Sequence, residues 1–115
     1  MDRSTTKKGK IEMKQIIGGK TYNTVTATEI CDVGNALSSQ DFGFERGELY
    51  ATQRGAYFIA GWGGSTSRFS RSAGNGWTGG EGIIPLRRRD ALAEAEKHAS
   101  SEVIEEFFGD MLETA

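Results

Sequence analysis

The sequence predicts an α+β domain: a small antiparallel sheet packed against carboxyl-terminal helices, with a short amino-terminal helix and a long glycine-rich loop. Three observations point there. Residues 48–62 form two β-rich runs separated by polar residues ending in Arg54-Gly55, the pattern of a hairpin. Residues 90–108 are rich in strong helix formers and carry apolar residues at helical spacing. The chain has 16 glycines and a hydrophobic share of 37% in 115 residues, so its core is confined to a few elements and its loops carry much of the length. A chain of this size forms one core that buries about two thirds of the surface exposed when unfolded.

Taken in order, residues 1–10 lack apolar periodicity and read as a disordered basic arm. A single domain over 11–109 follows, with a frayed tail over 110–115. The apolar positions 11, 13 and 16 or 17 allow a strand, closed by Gly18-Gly19 and resumed at Lys20-Thr21-Tyr22. Thr26 and Glu29 have the spacing of a capping box, and Ala27, Ile30, Cys31 and Val33 continue as an apolar stripe, which predicts a helix over 27–33. Residues 34–43 are turn formers, with Phe42 and Phe44 expected to pin the loop to the core.

In the hairpin, Leu49 and Ala51 share one face of the first strand. Tyr57, Ile59 and Gly61 share one face of the second, and Tyr50, Phe58 and Ala60 lie opposite. Apolar residues on both faces predict a central second strand. Residues 61–82 are poor in helix and strand formers and read as a loop of a length that usually serves a purpose. Residues 82–86 form a short edge strand, because Pro85 lacks the amide a central strand needs. The helix beginning near Asp90 is followed by a second one, capped by Ser100 or Ser101, with Val103, Ile104, Phe107 and Phe108 as its apolar face before Gly109.

A net charge of −2 gives no whole-molecule field toward DNA, but the charge is uneven. Residues 1–20 hold Arg3, Lys7, Lys8, Lys10, Lys14 and Lys20 against Asp2 and Glu12. Residues 90–115 hold eight carboxylates against Lys97, and every basic residue between the two segments is an arginine. Cys31 is the only cysteine and His98 the only histidine, which excludes an internal disulfide, a multi-thiolate metal site and a paired-imidazole site. No cofactor is expected. No apolar run nears the ~20 residues a membrane span needs, and the basic start lacks the hydrophobic segment of a signal peptide. A cytoplasmic location without a membrane partner is expected.

Gly74, Gly76 and Gly79 match the spacing of a glycine-rich nucleotide loop, but strand and Pro85 follow where a dinucleotide fold needs a helix. The glycines therefore read as turn residues. Arg68, Arg71, Trp62, Phe69 and Trp77 mix cations with aromatic faces, a composition suited to stacking bases or anchoring a protein interface. Trp62, at a strand end, reads as cover for the core, and Trp77 as the exposed one. Arg87, Arg88 and Arg89 stand at a helix start, where the dipole disfavours them; they serve either a partner or ion pairs with Glu94 and Glu96. The carboxylates Glu81, Asp41 and Glu45, and His98 near Glu102, offer only unsupported catalytic pairs, so no catalytic residue is assigned.

Lys20-Thr-Tyr-Asn-Thr24, Thr26-Ala27, Glu48-Leu-Tyr50, Arg54-Gly-Ala-Tyr-Phe58, Gly61 to Gly64, Gly74-Asn-Gly-Trp77, Gly79-Gly80 and Ile84-Pro-Leu86 together resemble a family of small glycine-rich proteins, mostly of unknown function. Phages, plasmids and integrative elements of bacteria encode them, and the similarity covers most of residues 20–109. The resemblance implies an accessory protein of mobile DNA that inhibits a bacterial defence complex by stoichiometric binding, as anti-CRISPRs do. Its expected partner is a protein or ribonucleoprotein complex, contacted through Arg68, Arg71, Trp77, Arg87, Arg88 and Arg89. The alternative is a small nucleic-acid-binding accessory or regulatory protein that uses the lysine arm and the Arg/aromatic loop. Where the family often has Ser or Thr before the first long helix, this chain has the three arginines.

Overall fold

A computed structural model gives the fold and describes residues 11–115; the arm expected over 1–10 lies outside the described residues. The first described element is a hairpin of β1 (Lys14–Ile17) and β2 (Lys20–Asn23). Its turn residues Gly18 and Gly19 have φ of 60° and 81°. Two successive left-handed residues make the turn type that matches strand twist, and glycine adopts them without strain.

The helix expected over 27–33 is instead a strand, β3 (Thr28–Asp32). Thr26 caps no helix: its hydroxyl donates back to the Asn23 carbonyl within a turn, where Asn23 Oδ1 also accepts from the Val25 amide at 2.8 Å. β3 pairs antiparallel with β4 (Glu45–Ala51), and the register shifts between Glu29 and Cys31. That bulge explains the misleading pattern. An extra residue, Ile30, lets Ile30, Cys31 and Val33 all pack toward one core, a spacing that imitates a helical stripe. A seven-residue helix has little stability of its own, whereas the strand satisfies the backbone along β4.

The predicted hairpin is present and longer than expected. β4 pairs with β5 (Tyr57–Gly63) from Glu45↔Gly63 to Ala51↔Tyr57, and β5 pairs on its other side with the strand ending at Leu86. β5 is buried on both faces, as its sequence predicts. Leu49, Tyr57 and Ile59 face one core with Ile30, Val33 and Phe69, while Tyr50, Phe58 and Ala60 face a second with Ile11, Tyr22 and Ile83. In the second core Tyr50 stacks on Phe58 at 5.1 Å, and Tyr22 meets Phe58 edge-on at 5.5 Å. The β1–β2 hairpin thus covers one face of the sheet.

The stretch 61–82 is not the irregular loop expected. It holds the end of β5, a small hairpin of β6 (Arg71–Ala73) and β7 (Gly76–Thr78), and the start of β8 (Gly80–Leu86). Its glycines mark backbones in close approach. A Cβ on Gly79 would fall 2.5 Å from the Gly63 carbonyl oxygen, and one on Gly80 2.6 Å from that of Phe69. β8 lies at the sheet edge, as expected, in the order β3-β4-β5-β8. Gln15 Oε1 accepts its outward Ile83 amide at 2.7 Å. Pro85, two residues on and so on the same side, has no amide to expose, which blunts the edge against further pairing.

Helices α1 (Arg88–His98) and α2 (Ser101–Phe108) cover the other face, with Ala91, Ala95 and Phe108 fully buried. α1 has no side-chain cap, whereas Ser100 Oγ caps α2 by accepting from the Val103 amide at 3.3 Å. Gly109 does not end the helical path in a left-handed turn. At φ −55° it passes into a 3-10 turn over Gly109–Met111, so the first residues of the expected tail are structured. Phe42 is also misread: it is 72% exposed, and its loop is held by backbone, with the Thr66 amide on the Phe42 carbonyl and the Gly64 amide on that of Phe44.

The closest approach in the sheet is at Gly61, where a Cβ would lie 2.7 Å from Gly47 Cα and closer still to the Arg46 carbonyl oxygen. Backbone cannot yield as a flexible side chain would. Gly61→Ala is therefore expected to cost about 3 kcal/mol or to abolish cooperative unfolding, measured by thermal denaturation. Gly76→Ala, with open space around its Cβ, is expected to leave the melting temperature nearly unchanged.

Candidate interaction site

The β6–β7 hairpin turns at Gly74-Asn75. Gly74 has φ 60° and no non-glycine residue among the described residues has positive φ, so only the first turn position is left-handed, the type II′ pattern. The glycine spacing over 74–79 thus makes a turn and a close strand approach, without the strand-to-helix step of a phosphate loop. Every residue from Arg71 to Thr78 is exposed. Trp77 leaves 66% of its surface in solvent. Register places Trp77 beside Ser72 and Arg71 beside Thr78, so the two point to opposite faces of the ribbon. Arg71 runs its stem past Gly80 and has no ion pair among the described residues.

Arg68 has a different role. Its Nε donates to Glu45 Oε1 at 3.0 Å, its terminal nitrogens reach both oxygens of Glu94 at 2.9 and 3.3 Å, and its backbone amide donates to Glu45 Oε2. One guanidinium therefore joins the loop, β4 and α1. Partial burial works against its charge, but Glu94 and Glu45 outweigh that and raise its pKa further. Phe69 beside it is buried in the core. Trp62 lies outside both cores and is 42% exposed, so it does not serve as the cover its position suggests.

The three consecutive arginines divide. Arg88 makes a bidentate pair with Asp110, reaches Tyr57 Oη at 3.2 Å and the Phe107 carbonyl at 3.1 Å, and lies over the Phe108 ring. The Asp110 hydrogen bonds hold its pKa above the ordinary value, and Arg88 in turn lowers that of Asp110. Arg87 makes only a solvent-exposed pair with Asp90 at 3.3 Å. Arg89 is exposed and unpaired among the described residues. Neither Glu94 nor Glu96 pairs with this cluster. Of the residues singled out in sequence, Arg71, Trp77, Arg87 and Arg89 face solvent, while Arg68 and Arg88 are tied into the fold.

The candidate acid–base groups are dispersed. Asp41 accepts from the Gly43 amide in a turn, Glu45 is held by Arg68, Glu81 lies across from Trp62, and His98 is exposed at the end of α1. Sequence reading missed one cluster. The β3 bulge sends Glu29 and Asp32 to the face carrying Glu48 and Tyr50, and the carboxylates of Glu29, Asp32 and Glu48 lie within 4.8 Å of one another. Among the described residues they are the group that could hold a metal ion, and oxygen donors suit a hard divalent cation. Three carboxylates are only part of the six to eight ligands calcium takes. Glu48 is buried and accepts from the Tyr50 hydroxyl at 2.5 Å. Cys31, packed against the helix-side core, has its thiol pushed up to about 11 by burial and then by Asp32, Glu94 and Glu29, so it stays protonated at neutral pH.

No protein-family model, curated protein or solved structure matches the chain.

Arg68→Ala is expected to leave Glu45 and Glu94 facing each other without a cation. It should cost about 2 kcal/mol, a fall in melting temperature on the order of 10 °C by calorimetry. The Glu48 cluster sets a pH dependence. Burial raises the Glu48 pKa from its ordinary 4.5, the Tyr50 hydrogen bond opposes this, and the charges of Glu29 and Asp32 add to it. The folded state therefore binds this proton more tightly than the unfolded state does, and stability falls as pH climbs above the ordinary glutamate range. Glu48→Gln keeps an acceptor for Tyr50 and removes the charge. It is expected to raise the melting temperature at pH 7 and to flatten the decline above the ordinary glutamate range.

Proposed function

We propose that the protein acts by stoichiometric binding to a bacterial protein or ribonucleoprotein complex, and that the complex belongs to a host defence system that the protein inhibits. The observation that carries the binding reading is Trp77, a large aromatic left two thirds exposed on a strand of a hairpin whose residues all face solvent. Leaving such a side chain in water gains the molecule nothing; burying it in a partner pocket removes a large apolar area from solvent. Arg71 on the opposite face of the ribbon gives a partner that clasps the hairpin a guanidinium to pair with carboxylate or phosphate. Arg87 and Arg89 supply further positive charge at the start of α1. The inhibitory role rests on the resemblance to glycine-rich proteins of mobile DNA and acts in the bacterial cytoplasm.

The test is capture of a complex from host lysate by tagged protein, with a phage-interference assay alongside. Trp77→Ala and Arg71→Ala are expected to abolish capture and inhibition with melting temperatures within a degree or two of the parent. Full activity in both variants would remove the hairpin from the contact surface. Binding to bare DNA or RNA that falls steeply with salt, without capture of a complex, would replace this reading with a nucleic-acid-binding one.

A further inference from the structure

We propose that a cavity beside the β1–β2 hairpin binds a phosphate-bearing ligand of nucleotide size. This does not rest on the hairpin surface above. The cavity, about 620 Å³, lies where the end of the β1–β2 hairpin meets the loop joining β4 to β5. Volumes of roughly 300–1,000 Å³ are those that hold small ligands.

Its lining is selective in charge. The chain carries 16 carboxylates and a net charge of −2, yet among the described residues no carboxylate lines the cavity, where the charged groups are Lys20 and Arg54. Neither cation has an ion-pair partner among the described residues. Thr21, Thr26, Asn23 and Gln53 add hydroxyls and amides to a lining whose remaining surface is mostly apolar. Such a lining repels nothing in a multiply charged anion and offers it several donors, the guanidinium in a paired geometry.

Tyr22 supplies an independent observation. It lines the cavity and is only 8% exposed, with its ring against Phe58. The hydroxyls of Tyr50 and Tyr57 bond Glu48 and Arg88, but that of Tyr22 has no hydrogen-bond partner among the described residues. A hydroxyl without a protein partner on a cavity-lining residue is available to hydrogen-bond an oxygen of a ligand there.

Both walls are fixed before any ligand arrives. The Gly18-Gly19 turn sets one. In the other, the Thr52 amide bonds the Ala56 carbonyl at 2.8 Å, the Ala56 amide bonds Thr52 Oγ1 at 3.0 Å, and Gly55 takes φ 88°. A preformed site loses little entropy on binding.

The test is calorimetric titration of the full chain at low salt with three probes: pyrophosphate, ATP without metal, and a short 5′-phosphorylated oligothymidylate. At least one is expected to bind saturably at one to one. Lys20→Ala and Arg54→Ala are each expected to weaken that binding on the order of tenfold, and Tyr22→Phe, which removes a single oxygen, several-fold. Lys14→Ala, the pair Lys7→Ala/Lys8→Ala and Trp77→Ala are expected to leave it unchanged. Binding of pyrophosphate or ATP assigns the site to a free phosphate compound, and binding of the oligonucleotide alone assigns it to a strand end; both support the proposal. Absence of saturable binding by all three probes would overturn it. So would an equal loss in the Lys14 or Lys7/Lys8 variants, which would mean diffuse attraction. Because Trp77→Ala spares this site, its failure and that of the capture reading are separately visible.

Discussion

The antiparallel pairing of β4 with β5, in one register and at one closeness, is the constraint on which the rest of the molecule depends. Both strands carry apolar residues on both faces, so alternation alone does not choose between registers. The choice comes from what each face accepts. On the helix side Gly47 faces Gly61, and their backbones approach to a distance no side chain tolerates. On the other side Tyr50 faces Phe58 and the rings stack. A slip of one residue would place aromatics against the helices and leave the β1–β2 hairpin over glycines. With the register fixed, two cores form back to back, and every later element packs on one of them.

Charge then ties the layers together at their rims. Arg68 joins the turn after β5 to β4 and α1 through two carboxylates, and Arg88 joins the start of α1 to the end of α2 through Asp110 and the Phe107 carbonyl. Arginine suits these positions because its planar fork holds several acceptors at once. The same residue type left unpaired among the described residues, at Arg71 and Arg89, has no such role there. Exposure of Trp77 on a ribbon that contributes no residue to either core therefore stands apart from stability, and a surface with no part in stability is free to serve a partner.

The bulge in β3 shows how one backbone irregularity serves two faces at once. The extra residue turns Ile30 and Cys31 to the helix side and keeps Glu29 and Asp32 on the opposite side, next to Glu48. Like charges gathered at a partly buried position oppose folding at neutral pH, and the Tyr50 hydroxyl offsets this only in part. The fold tolerates the cluster because the apolar gain of seating Ile30 and Val33 beneath the helices is made through the same bulge.

Local sequence determined the hairpin 48–62, the two helices and their order, and the edge position of the strand with Pro85. Each depends on neighbours a few residues apart: alternation, propensity, a missing amide. The strand at 28–32, the β6–β7 hairpin and the close packing of the glycines were decided by tertiary structure. A bulge imitates a helical stripe until its partner strand is known, and glycine signals a loop until another backbone is seen passing where its Cβ would be. The site divided in the same way. Exposure of Trp77 was legible from its flanking glycine and polar neighbours, whereas the ion pairing of Arg68 depended on Glu45 and Glu94, 23 and 26 residues away. The meeting of Lys20, Tyr22 and Arg54 depended likewise on two turns distant in sequence, because local propensity carries no information about which segments the packing of a shared core brings together.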